Sequence, residues 1–218
     1  MRVLASCIAV AVCAACGPST AEPPPSQSPV PQSMPPSVDP ARVDRVRSRV
    51  PTGYEFARLS GRAAPATSWG LGQDPVADPA PCGVLANPAG DADVRGWSAS
   101  GPGGIVYAVV ADAAVGLDPA VRDACATWTL AAGHTDGVVR LIDAPVIDGA
   151  ATLGMAADAT TVVEGGTETH SHADTFVAYL ADHVAHVTVV TDPGSSAPGL
   201  EPGFAAELLV ETVAAIRG

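Results

Sequence analysis

The chain has 218 residues, a formal net charge of −12, 47% hydrophobic residues and only 4% aromatic residues. All eleven basic residues are arginines, and the lack of lysine excludes Schiff-base chemistry, Ser-x-x-Lys catalysis and a phosphate-binding P-loop. Beyond Arg62, four arginines stand against nineteen Asp and Glu, a balance of −15; a surface of that sign repels nucleic acid, so no nucleic-acid partner is expected.

Met1-Arg2-Val3 is a short basic start, followed by an apolar run of 12 residues from Leu4 to Ala15. That is shorter than the roughly 20 residues of a membrane-spanning helix but matches the apolar region of a secretion signal. Ala14 and Ala15 before Cys16-Gly17 resemble a bacterial lipobox, with Cys13 where Leu or Val is usual. The expectation is a signal peptide over 1–15 and a diacylated Cys16 that anchors the chain to the outer face of the plasma membrane. Ordinary cleavage near Ala21, leaving a soluble secreted protein, is the alternative. From Cys16 to Val38 the chain is Pro and Ser rich with almost no large apolar residue, which predicts a disordered tether able to hold a domain several tens of Å from its anchor. A single globular domain is expected over 39–218, long enough to bury a real core.

Asp39-Pro40 opens the domain with an N-cap residue and a proline at the first helical position, and Val43, Val46 and Val50 share a helical face. Asp78-Pro79 and Asp118-Pro119 repeat that start signal ahead of Cys82 and Cys125. Once Cys7 and Cys13 leave with the signal and Cys16 takes lipid, these two cysteines are the pair remaining in an exported domain, and a disulfide between them is expected. Gly96-Trp97-Ser98-Ala99-Ser100 approaches the Gly-x-Ser-x-Gly nucleophile elbow, but Ser100 stands where the sharp turn requires glycine, so Ser98 is read as an ordinary strand or loop residue. Gly101 to Gly104 reads as a turn. The apolar run Gly104 to Ala111 then predicts a buried strand.

Strands are predicted at Ala126 to Ala131 and Val138 to Ile147, joined through the Asp136-Gly137 hairpin signal, and again at Thr152 to Val163, Thr175 to Leu180 and Val184 to Thr191. A helix from about Pro202 to Arg217 gathers Phe204, Leu208, Leu209, Val213 and Ile216 on one side, with Glu207 and Glu211 opposite. Grouped strands with helices mainly early and at the end give an α+β fold, a mainly antiparallel sheet with flanking helices.

Cys125-Ala126-Thr127-Trp128-Thr129, the Gly133-His134-Thr135 turn, Thr188 to Gly194 and the closing LLVETVAAIRG resemble a family of mycobacterial lipoproteins of unknown function. That family is related to the extracellular sensor domain of PknH-type serine/threonine kinases. The resemblance covers most of 50–218 and implies an antiparallel sheet with flanking helices, a cleft and two disulfides, of which Cys82 and Cys125 can supply one. Its motifs are structural rather than catalytic.

All five histidines fall between His134 and His186. His170-x-His172-x-Asp174 would put three potential zinc ligands on one face of a strand. It is similar to the start of the metallo-β-lactamase signature, but Thr175 stands where a further histidine would complete it, and flanking glycines place part of the stretch in a solvated hairpin connection. No metal, cofactor or catalytic residue is assigned on this basis. The expected function is non-catalytic binding or sensing of a small-molecule or protein ligand in the cell envelope. The alternative is an envelope metal-dependent hydrolase built on His170, His172 and Asp174, which convergence of those side chains with a fourth ligand in a cleft would favour. Trp69, Trp97, Trp128 and Tyr107 are expected near the core or cleft.

Overall fold

The computed structural model describes residues 37–191 and 196–218; the predicted signal, Cys16, nearly all of the tether and 192–195 lie outside them. A 3-10 helix over Pro40–Arg49 comes first, and its start is as the sequence predicts: Asp39 Oδ1 accepts from the Ala41 amide at 3.0 Å and Pro40 occupies the first turn. The tighter 3-10 winding brings residues three apart into line, so Val43 and Val46 share the buried side.

Nine strands follow: β1 (Glu55–Gly61), β2 (Val76–Asp78), β3 (Val94–Gly101), β4 (Gly104–Ala111), β5 (Thr127–Ala132), β6 (Thr135–Ile142), β7 (Ala151–Val162), β8 (Glu168–Tyr179) and β9 (Val184–Thr191). They form one antiparallel sheet in the order β1-β3-β4-β9-β8-β7-β6-β5-β2. Between them lie α1 (Pro65–Ser68), a 3-10 turn at Ala80–Cys82, α2 (Gly83–Ala86) and α3 (Pro119–Ala124); α4 (Phe204–Arg217) ends the chain. The architecture is the predicted α+β arrangement.

The sheet carries a core on each face. On one, Val43, Val46, Leu208, Leu209, Val213 and Ile216 of the two longer helices pack on Trp97, Val106, Ala108, Phe176, Ala178 and Val187. On the other, Trp69, Leu71, Leu85, Cys82 and Cys125 from the short helices and loops cover Val109, Met155, Val177, Val184 and Trp128. The central strands β4 and β9 are therefore buried on both sides, which is why they read as near-continuous apolar runs despite being antiparallel. On the first of these faces Trp97 ties β3 to the N-terminal 3-10 helix by donating its indole N–H to the Val43 carbonyl at 3.0 Å.

Three local expectations are corrected. The β5–β6 turn is Gly133-His134, with Gly133 at φ +61°, and Asp136-Gly137 lies inside β6; glycine at the left-handed position wins over the Asp-Gly signal. Asp78 ends β2 instead of capping a helix, and the next helical turn is capped by Pro79. β8 begins at Glu168, so His170, His172 and Asp174 lie within a strand, the connection to β7 being made by residues 163–167 with Gly165 and Gly166 at its turn.

Candidate functional site

β8 runs out from under α4. Its later residues on that face, Phe176 and Ala178, are covered by the helix side of the core, whereas His172 and Asp174 are half-buried and His170 is exposed. Strand period places all three on one face, as the sequence predicts. They do not converge. His170 Nδ1 sits 3.1 Å from the Thr160 hydroxyl of β7, apart from the contacts made by the other two.

His172 instead belongs to a row of charges assembled across three strands. Register sets His172 opposite Asp158 and Asp174 opposite Ala156, with Arg140 of β6 diagonal to Asp158. Asp158 Oδ1 lies 2.6 Å from His172 Nδ1, Asp174 Oδ1 lies 3.3 Å from His172 Nε2, and Arg140 Nη2 donates to Asp158 Oδ2 at 2.5 Å. The carboxylates of Asp174 and Asp158 outweigh partial burial and hold the imidazole's pKa up to about 9. The imidazolium and the Arg140 guanidinium in turn hold the Asp158 carboxyl below its ordinary value. With its pKa held up, His172 is a cation at neutral pH, and a metal ion would have to displace its proton and its two carboxylate partners. Among the described residues, no three His, Cys, Asp or Glu side chains are placed to hold a metal ion.

His172 and Asp174 form one wall of a pocket of about 230 Å³ between this end of the sheet and the segment entering α4. Phe176, Val189, Ile142, Leu200 and Phe204 supply its apolar surface, and Thr191 and Glu201 add polar groups. Arg140, Asp158 and Glu201 were not singled out in the sequence. Arg140 and Asp158 reach the site through cross-strand register, and Glu201 through the chain's return to α4.

The other sequence candidates have structural roles. Gly96 is demanded by strand proximity: a Cβ there would lie 2.3 Å from the Ala108 carbonyl oxygen, and Ser98 sits in mid-strand with no histidine bonded to it. Gly101 and Gly104 pair across the β3–β4 turn. Cys82 and Cys125 are disulfide bonded, with Cα atoms 5.6 Å apart, joining the Ala80–Cys82 turn to the C-terminus of α3. Asp118 caps α3 by accepting from the Ala120 amide at 2.8 Å. Trp69, Trp97 and Trp128 are core residues, and Tyr107 is half-buried, its pKa raised by desolvation.

On the face away from α4, Trp69 Nε1 donates to Thr175 Oγ1 at 2.9 Å, and Thr175 meets Thr188 Oγ1 at 2.9 Å. His186 shares that side of β9. His183, in the turn between β8 and β9, and His186, within β9, are both buried. Desolvation pushes the His186 pKa down to about 4, and its Nε2 has no hydrogen-bond partner.

A model of the family described as Domain of unknown function (DUF5642) matches residues 39–217. The chain belongs to the DUF5642 family. Its fold is similar to that in the X-ray structure of an uncharacterized protein, the Rv0999 ortholog, from Mycobacterium smegmatis, with a TM-score of 0.62, 20% identity, and coverage of 85% of this chain and 100% of the other. No curated protein matches the sequence significantly. The DUF5642 match begins at the Asp39 cap and ends within α4, so it takes in the whole sheet and the pocket.

Proposed function

We propose that this DUF5642 protein is a cell-envelope lipoprotein whose domain binds or senses a small ligand or protein segment without catalysing a reaction. The observation that carries this reading is the pocket beside β8. It joins an apolar surface to a polar wall of His172 and Asp174, which are already committed to one another and, through Asp158, to Arg140. Such a wall orients a ligand. A general base or metal centre needs an open lone pair or coordination position, and His172 offers neither while it bridges two carboxylates. The disulfide agrees with an oxidising compartment, which supports the proposed signal peptide, diacylated Cys16 and tether. Kinship with the PknH-type sensor domain belongs to the same proposal.

The alternative reading, a metal-dependent hydrolase on His170, His172 and Asp174, makes a distinguishable demand. Replacing all three with Ala should leave metal content and hydrolysis of ester, amide and phosphate substrates unchanged, while weakening retention of whatever molecule the natively purified protein carries, identified by mass spectrometry. Stoichiometric zinc that disappears in the variant together with a hydrolytic activity would overturn the binding reading.

A further inference from the structure

Most of the described arginines are engaged. Arg42 pairs with Asp39, Arg47 with Asp44, Arg49 with Glu211, Arg62 with Asp74 and Asp91, Arg122 with Asp123, and Arg140 with Asp158, while Arg217 donates to the Asp148 and Gly149 carbonyls. In a chain with 23 carboxylates, that is what mutual attraction predicts. Among the described residues, the guanidinium groups of Arg45, Arg58 and Arg95 have no such partner. Two of these three line the same hollow.

That hollow, of about 410 Å³, lies where β1 and β3 meet the N-terminal 3-10 helix, and it is lined by Arg58, Ser60, Arg95 and Asp44 together with Leu59 and Val94. Register accounts for the convergence. Arg58 is opposite Trp97 and Ser60 is opposite Arg95, so Arg58 and Arg95 are diagonal cross-strand neighbours on the face that buries Trp97. Diagonal neighbours stand about 7–8 Å apart at the backbone, within reach of one another for long side chains. The rim carboxylate of Asp44 is taken by Arg47 at 2.9 Å, which leaves the two guanidiniums without a counter-charge. Two like charges lining one hollow repel, and an anion between them removes the repulsion.

We infer that Arg58, Arg95 and the Ser60 hydroxyl form a binding site for a tetrahedral oxyanion, the phosphate group of an ester. The geometry favours a tetrahedral group over a carboxylate. A carboxylate presents its two oxygens in a single plane, whereas a phosphate presents oxygens on different edges, so two forks and a hydroxyl arriving from different directions are met more fully by the phosphate. The chain's net charge of −12 repels anions on average, so binding here would be local and not the adsorption of anions to a basic surface. This site is separate from the pocket beside His172 and stands whether or not that pocket binds a ligand.

The test uses the full chain carrying Cys16→Ala, so that no acyl group contributes. Arginine side-chain N–H resonances are followed by NMR during titration with inorganic phosphate and with glycerol phosphate, and sedimentation is measured with phosphatidylglycerol and phosphatidylcholine vesicles. Saturable shifts of the Arg58 and Arg95 resonances, with affinity falling at least tenfold in Arg58→Gln/Arg95→Gln and unchanged in Arg45→Gln, are the expected result. Response to both soluble phosphates would mark the phosphate itself as ligand; added association with phosphatidylglycerol vesicles, lost in the same double variant, would mark a lipid headgroup as its source. Absence of shifts at both arginines in every arm would overturn the site, as would binding that weakens equally in Arg45→Gln, the signature of diffuse attraction. Circular dichroism of the double variant, whose replaced side chains are exposed, separates lost binding from lost fold.

Discussion

Asp158 and His172 face one another across the β7–β8 pair with Oδ1 and Nδ1 2.6 Å apart, and the Asp174 carboxylate closes on the other ring nitrogen. The ring is thereby held charged through neutrality, with its pKa near 9. A histidine whose folded pKa lies above its unfolded value adds stability that is complete below about pH 6.5 and is lost as pH rises through about 9. Asp158 has the opposite sign: its lowered pKa adds stability above the ordinary carboxylate value that is lost on acidification. Both groups are part-exposed, so solvent screening limits the pair to about 1 kcal/mol or less. The expected outcome is an NMR titration of His172 centred near pH 9, moved towards 6.5 in Asp158→Asn/Asp174→Asn. A midpoint near 6.5 in the parent would contradict the ion-pair row.

His186 carries the reverse prediction. It is buried between Val109 of β4 and Val177 of β8, with Thr188 and Val184 its neighbours on the same side of β9. With its pKa near 4 it folds neutral. Between about pH 6.5 and 4 the unfolded chain takes up a proton that the folded chain refuses, so stability falls as pH falls across that interval. That difference in pKa corresponds to an upper figure of roughly 3–4 kcal/mol. His186→Leu, close in volume and free of the unpartnered nitrogen, should keep the fold and flatten the acid limb of stability measured by urea unfolding at several pH values. An unchanged slope would show that other groups govern it.

The outline of the fold was legible where burial imposes a simple pattern. β4 and β9 are covered on both faces and read as apolar runs, and α4 shows its apolar side at helical period. β1 escaped because its residues are mostly exposed at the sheet edge, leaving no alternation to detect, and β2 is only three residues long. The His170-x-His172-x-Asp174 pattern was visible, but its meaning was not. Asp158 lies 14 residues before His172, and their contact depends on a register that no local pattern states. The same limit hid the convergence of Arg58 and Arg95, which are 37 residues apart and meet only because Ser60 pairs with Arg95.

The Cys82–Cys125 bond closes a separation of 43 residues and clamps the short-helix layer, Leu85 included, over Trp128 and its neighbours. On the chain-entropy account a loop of that length stabilises by roughly 4 kcal/mol, an upper figure from which native strain subtracts. Cys82→Ala/Cys125→Ala should lower the melting temperature by roughly 5–15 degrees, with a ΔΔG of about 2–4 kcal/mol by denaturant unfolding. The sheet core on the α4 side makes no use of the bond, so near-native far-ultraviolet circular dichroism should survive in the variant. A melting temperature within two degrees of the parent would show that the layer is held by packing alone.

The proposed placement at the membrane rests on Cys16, which is expected to become the lipidated first residue after signal removal. A single acyl chain binds membranes only marginally, while the two chains of a diacylated cysteine suffice for stable attachment. None of the described helices is long and apolar enough to cross a membrane. Cys16→Ala should therefore shift the protein from the membrane fraction to the soluble or unprocessed pool in cells expressing it by its native export route. Mass spectrometry should find the acyl groups on Cys16 in the parent and none in the variant. A variant that stays membrane-bound and is processed like the parent would rule out lipidation at Cys16 as the anchor and point to another attachment, with the Arg58 and Arg95 hollow the next surface to test.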